Sequence, residues 1–235
     1  MKLTRAALAV AAGALAPALL LSTPSFAAAP AAVPAAAAAV VGSDTENALA
    51  IVKLLADPAS GKAVIREANK ALSGTPEDRV AFLTTGLAKA QDEDNKVTIL
   101  RLLADPATGK GVRREANKAL DGTAADRVAF LATGLAKAQD EDNKVTILKV
   151  LFANPSTGKA VKREANKALD GTAADRTAFL KTGLRLARAQ DDRVDVVRIL
   201  ARPGISDALR AAAEKALNGT PEELRHFLTV GQYQV

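Results

Sequence analysis

The chain has 235 residues, 49% apolar but only 3% aromatic, with no Cys and no Trp. That length holds one or two ordinary domains, and the missing Cys excludes disulfides, thiolate nucleophiles and zinc–thiolate sites. The 32 basic and 26 acidic residues are interspersed, and a leader holding Lys2 and Arg5 accounts for two of the basic ones, so the remainder is a soluble surface and not a polycation.

Met1 to Ala27 reads as a secretory signal peptide. Lys2 and Arg5 give a positive start, Ala6 to Leu21 is an uncharged apolar run, and Ser25-Phe26-Ala27 puts small residues where the peptidase needs them. Cleavage is expected between Ala27 and Ala28, because a cut after Ala29 would leave Pro30 next to the bond. An uncleaved anchor is the alternative, but the apolar run falls short of the roughly 20 residues a span needs. No Arg-Arg pair and no following Cys are present, so the general secretory route and release outside the cell, with no stable membrane insertion, are expected. Residues 28–42 form an Ala/Pro-rich flexible spacer.

From Ser43 onward one phrase recurs. Glycine follows an Ala-Leu pair at Gly74, Gly122, Gly171 and Gly219, and phenylalanine follows at Phe82, Phe130, Phe179 and Phe227, a period of 48, 49 and 48 residues. Such a period marks a repeat array, with units near 43–91, 92–139, 140–189 and 190–235. Each unit carries three amphipathic segments. The first opens in copy one with a Ser43/Glu46 capping box, carries Ala48, Ile51, Val52, Leu54 and Leu55, and stops at Asp57-Pro58. Its later copies stop at Asp105-Pro106, Asn154-Pro155 and Arg202-Pro203, with one extra residue near Phe152 in the third. The second segment follows a Pro-Ala-Ser/Thr-Gly turn and has an apolar stripe of Val112, Ala116, Ala119 and Leu120, ended by Gly122 in a left-handed cap. The third starts at Thr75, Thr123, Thr172 or Thr220 with acids in its first turn; Leu83, Gly86, Leu87 and Ala90 carry its apolar face, Phe82 flanks it, and Gly86 marks a close helix crossing. A break is expected between third and first segments, because Asp92, Glu93 and Asp94 suit a helix N-terminus; one fused helix is the alternative. No unit can bury its own apolar face, so the expected fold is all-α, an α-solenoid of four ~48-residue repeats stacked in the HEAT/armadillo manner.

Ala-Ala-x-Lys-Ala-Leu-Asn-Gly-Thr followed by Phe-Leu-x-x-Gly at Ala212–Gly231 resembles the ALF repeat of secreted bacterial proteins. Its named positions recur as Ala71, Leu72 and Phe82, Ala119, Leu120 and Phe130, Ala168, Leu169 and Phe179, and Ala216, Leu217 and Phe227. The resemblance implies architecture and export; the family offers no catalytic residues, cofactor or established function.

The residues themselves point away from catalysis. The one histidine, His226, reads as partly buried and structural; no nucleophile, phosphate-loop or zinc-protease pattern occurs. Asp92-Glu93-Asp94 and Asp140-Glu141-Asp142 lack the glycine and closing Glu of a calcium loop. No cofactor or metal is expected. The suggestive surface is basic: Lys62, Arg66 and Lys70, then Lys110, Arg114 and Lys118, then Lys159, Arg163 and Lys167, each set at i, i+4, i+8, a ladder suited to an anionic polymer of the cell envelope or to nucleic acid. Glu67, Glu115 and Glu164 dilute it, and no aromatic is interleaved for base stacking. Thr85–Leu100 and Thr133–Leu148 are identical, through recent duplication or because each copy presents one surface to a repetitive ligand. The expectation is a secreted, non-enzymatic binding scaffold that recognises an extracellular protein, with attachment to an anionic polymer as the alternative.

Overall fold

The computed structural model describes residues 42–152 and 157–235. The expected leader with its expected Ala27/Ala28 cleavage point, the expected spacer up to residue 41 and the Asn154-Pro155 stop lie outside the described residues. The described residues form nine continuous helices and no strand. We number them α1 (Asp44–Ala56), α2 (Lys62–Ser73), α3 (76–104), α4 (Lys110–Asp121), α5 (124–152), α6 (Lys159–Asp170), α7 (173–200), α8 (Asp207–Leu217) and α9 (Pro221–Thr229).

Helix starts follow local chemistry. Ser43 N donates to Glu46 Oε2 at 2.7 Å, and Glu46 N donates back to Ser43 Oγ. Thr75, Thr123, Thr172 and Thr220 close the same reciprocal box with Asp78, Asp126, Asp175 and Glu223. None of the described helices is long and apolar enough to cross a membrane.

The expected break between third and first segments does not occur. α3 runs from Pro76–Ala81 through a π-turn at Phe82–Gly86 into Leu87–Ala104 without interruption, and α5 and α7 repeat this through Phe130–Gly134 and Phe179–Gly183. Unit boundaries at 91/92, 139/140 and 189/190 therefore fall inside continuous helices. Asp92, Glu93 and Asp94 sit in mid-helix, where each meets a cation or the N-terminus of another helix, so no dipole penalty at a C-terminus arises. In the π-turn Leu87 N donates to the Phe82 carbonyl five residues back.

The glycine roles also differ from expectation. A Cβ on Gly86 would lie 3.2 Å from the ring of Phe82, its own neighbour one turn back, so this glycine makes room for the ring and not for a crossing helix. Phe82 accordingly lies in the core instead of flanking it. Gly122 ends α4 at φ −86°, outside the left-handed region. A Cβ there would stand 2.7 Å from Asp126 Oδ2, so the glycine clears space for the carboxylate that caps α5. Gly204, at φ +74°, is the one described residue with positive φ.

Each short helix packs on the long helix before it and the one after it, while successive long helices also touch. Every layer of core shares four positions: an aliphatic from the incoming helix, two alanines from the short helix, and the phenylalanine of the outgoing helix. The sets are Ile51, Ala68, Ala71, Phe82, then Ile99, Ala116, Ala119, Phe130, then Ile147, Ala165, Ala168, Phe179, then Val196, Ala213, Ala216, Phe227. Alanine on the short helix lets the two long helices close over it. Removing one such phenylalanine ring would cost about 3–5 kcal/mol.

Candidate functional site

The acidic triplets are part of the scaffold. Asp94 accepts from Ala63 N at 2.9 Å and Val64 N at 3.0 Å, capping α2 from a distance of 30 residues in sequence. Asp142 does the same for Gly111 and Val112, and Asp191 for Ala160 and Val161. Gly61, Gly109 and Gly158 have no side chain to cap with, and a Cβ on any of them would collide with that incoming carboxylate. Glu93 takes both ends of the Arg66 guanidinium. Among the described residues no group of three or more acidic or histidine side chains converges as a metal-ligand set.

Asp92 completes the triplet by closing the junction between two successive long helices. Arg127 Nε and Nη2 donate to its two oxygens at 2.6 and 2.9 Å, while Nη1 donates to the Gly122 carbonyl at 2.8 Å and to the Leu120 carbonyl at 3.2 Å. One guanidinium thus ties α3 to α5 and satisfies the open C-terminus of α4. Arg176 repeats this with Asp140, Leu169 and Gly171, and Arg79 with Asp44, Leu72 and Gly74. Both Arg127 and Arg176 are buried. The hydrogen bonds they donate hold the Asp92 and Asp140 carboxyls below the ordinary carboxylate range. Sequence reading passed over these arginines; the recurring Asp-Arg before Val/Thr-Ala-Phe was the available signal.

The nine basic residues on α2, α4 and α6 are all exposed. Their arginines are engaged with neighbours: Arg66 with Glu67 and Glu93, Arg114 with Glu115, and Arg163 with Glu164 and Gln190. The three rungs are separated by the long helices that pack between the short ones. Arg114 and Lys118 line a groove of about 1020 Å³ between α4 and α5, with Phe130 and Gly134 beneath it.

A different recurrent surface lies on the long helices. Leu49 and Val52, Val97 and Leu100, Val145 and Leu148, and Val194 and Val197 occupy the same register in the four repeats and are each between 39% and 55% exposed. Val52 thus faces outward, although its spacing matched the buried Ile51. A cation follows each first apolar residue by four positions, at Lys53, Arg101, Lys149 and Arg198, on the same helix face. Arg198 pairs with Asp195; the other three make no ion pair among the described residues.

His226 is exposed on α9, not partly buried. It lines a groove of about 550 Å³ against α7. Beside it Asp192 is buried, with Arg225 Nη2 at 2.8 Å; burial raises its carboxyl above the ordinary value despite that charge.

No curated protein matches the chain in sequence. The ALF family, described as short repeats of unknown function, matches residues 49–90, 96–138, 149–187 and 193–235. Each match begins within the incoming helix, takes in a short helix and reaches the π-turn phenylalanine or its counterpart Phe227; three of the four hold a whole core layer, and the third starts two residues past Ile147. The chain belongs to the ALF repeat family.

Proposed function

We propose that the chain is a secreted, non-enzymatic scaffold that recognises a protein partner along the exposed arcs of α1, α3, α5 and α7. One observation supports this above the rest: an outward-facing aliphatic pair with a cation beside it stands at one register in all four repeats. These side chains are already about half covered, so completing their burial is worth about 1 kcal/mol each before the costs of association. Apolar surface repeated in this way marks an interaction face. Lys53, Arg101 and Lys149, with no ion pair among the described residues, select a partner segment that is amphipathic and carries carboxylates. Export rests on the leader, and the exported chain should begin at Ala28 by N-terminal sequencing.

The test is recovery of a partner from culture medium or envelope with tagged wild type and with Leu100→Asp/Leu148→Asp. Neither leucine belongs to the core layers, so helicity by circular dichroism should be unchanged. A partner held by wild type and lost from the variant supports the reading; equal recovery by both overturns it.

A second reading is favoured by the exposure of all nine ladder residues: attachment to an anionic polymer through α2, α4 and α6. Such binding should fall steeply with salt and vanish in Arg66→Glu/Arg114→Glu/Arg163→Glu. Persistence through both would refute it.

A further inference from the structure

The junction between the third and fourth repeats departs from the others on one face. Where α5 has Ala132, Ala136 and Gln139, α7 has Lys181, Arg185 and Arg188. Steps of four and three residues put the three cations on one side of the helix. On α9, which packs against α7, Arg225 and His226 stand where the preceding copy has Thr177 and Ala178. These five changed residues all line the single groove of about 550 Å³. Leu184, Ala189 and Pro221 give it an apolar wall.

Two carboxylates answer this charge. Glu222 holds Arg185 at 3.0 Å and Asp192 holds Arg225 at 2.8 Å. Lys181 and Arg188 make no hydrogen bond or ion pair among the described residues. Arg188 also reaches a second cavity, of about 760 Å³, that shares the Asp192–Arg225 pair. Seven residues separate Lys181 from Arg188, about 10 Å along the helix. A ligand with two separated negative groups meets both without drawing the two side chains together. A guanidinium matches a carboxylate through two parallel hydrogen bonds, and an ammonium meets one as a point charge.

We infer that this groove binds an acidic peptide segment, with carboxylates at Lys181 and Arg188 and an apolar side chain between them on Leu184, Ala189 and Pro221. The site is separate from the apolar arcs and from the basic ladder, and stands on its own observations.

The test titrates the exported chain against a fluorescent Glu-Leu-Leu-Glu-containing peptide at low salt, following anisotropy. Saturable binding is expected. Lys181→Ala/Arg188→Ala should weaken it at least tenfold with circular dichroism unchanged, because both side chains are exposed. Arg66→Glu/Arg114→Glu/Arg163→Glu should leave it within about twofold, which separates the groove from general electrostatic attraction. Absent binding, or equal affinity in the Lys181/Arg188 variant, overturns the inference. Displacement of the peptide by millimolar inorganic phosphate would show a single-oxyanion site instead. Tighter binding of a single-stranded oligonucleotide of the same length would show a phosphate-polymer site instead.

Discussion

The inner junctions and the last one solve the same problem with opposite chemistry. Between α3 and α5, and between α5 and α7, a buried arginine takes both oxygens of an aspartate on the earlier helix, and the half-buried Arg79 does the same for Asp44 between α1 and α3. At the last junction Ala189 stands where Asp140 stood and Leu224 where Arg176 stood, and both are buried. Both partners have changed together. Changing either alone would strand a buried charge, whereas replacing a buried pair by well-packed apolar side chains is often neutral or stabilising. The polar contact has moved along the helices, to Asp192 and Arg225 in place of Asn143 and Thr177. The helix caps differ in the same way. α2, α4 and α6 borrow an aspartate from the following long helix, while α8 starts at Ser206, whose own Oγ accepts from Leu209 N. The short helices of the inner repeats are thus capped by a neighbouring helix and that of the last by its own serine, as suits a unit at the end of a stack.

The sharpest way to break the contrast is Asp140→Ala alone. It leaves Arg176 buried without its carboxylate and should lower the thermal midpoint further than the loss of any one helix cap. Adding Arg176→Leu copies the terminal junction into an inner one and should recover most of that fall. A double-mutant cycle by calorimetry measures the coupling, and additive losses would contradict the paired replacement. Next come the caps. Asp142→Ala and Ser206→Ala each remove a helix cap, worth about 0.5–2 kcal/mol. Asp142→Ala should also expose the α4–α5 contact to faster hydrogen exchange, whereas Ser206→Ala should act on α8 alone. Equal, local effects would remove the distinction between borrowed and self-made caps.

The smallest effect is in pH dependence, where the two junction types carry opposite signs. The folded state lowers the pKa of Asp92 and Asp140, so their contribution is present above the unfolded value near 3.9 and is lost as pH falls through the folded one. The folded state raises the pKa of Asp192, so its charged form costs stability at neutral pH, and the cost disappears as pH falls through that raised value. Asp192→Asn should therefore raise the midpoint at pH 7 by a small amount and lose the gain in mild acid, since Arg225 is half exposed and tolerates a neutral partner. Asp140→Asn should lower the midpoint at pH 7 and converge with wild type in acid. A gain for Asp192→Asn that persists in acid would contradict burial as the cause.

Much of the architecture was legible because it is local or periodic. Ser43 with Glu46, and Thr75 with Asp78, are capping pairs three residues apart. The Ala-Leu-x-Gly-Thr and Phe-Leu-x-x-Gly spacing carries the core layers. The candidate surfaces were legible only in part. The basic rungs could be read from i, i+4, i+8 spacing, yet the glutamates that engage Arg66, Arg114 and Arg163 change what those rungs offer. The exposed aliphatic pairs were hidden, because Val52 and Leu100 match a buried stripe in spacing and only neighbouring helices decide which side of that stripe is covered.

By itself, then, the sequence determined the repeat, its period, its caps and its all-helical class, since each depends on residues within a few turns of one another. Tertiary structure alone decided three things: that the long helices run unbroken through the π-turn, that Asp94, Asp142 and Asp191 cap helices some 30 residues away, and that Arg127 and Arg176 close the junctions. A carboxylate in mid-helix looks misplaced until the helix that meets it is known. Its partner is set by packing between repeats, and no local rule reaches that far.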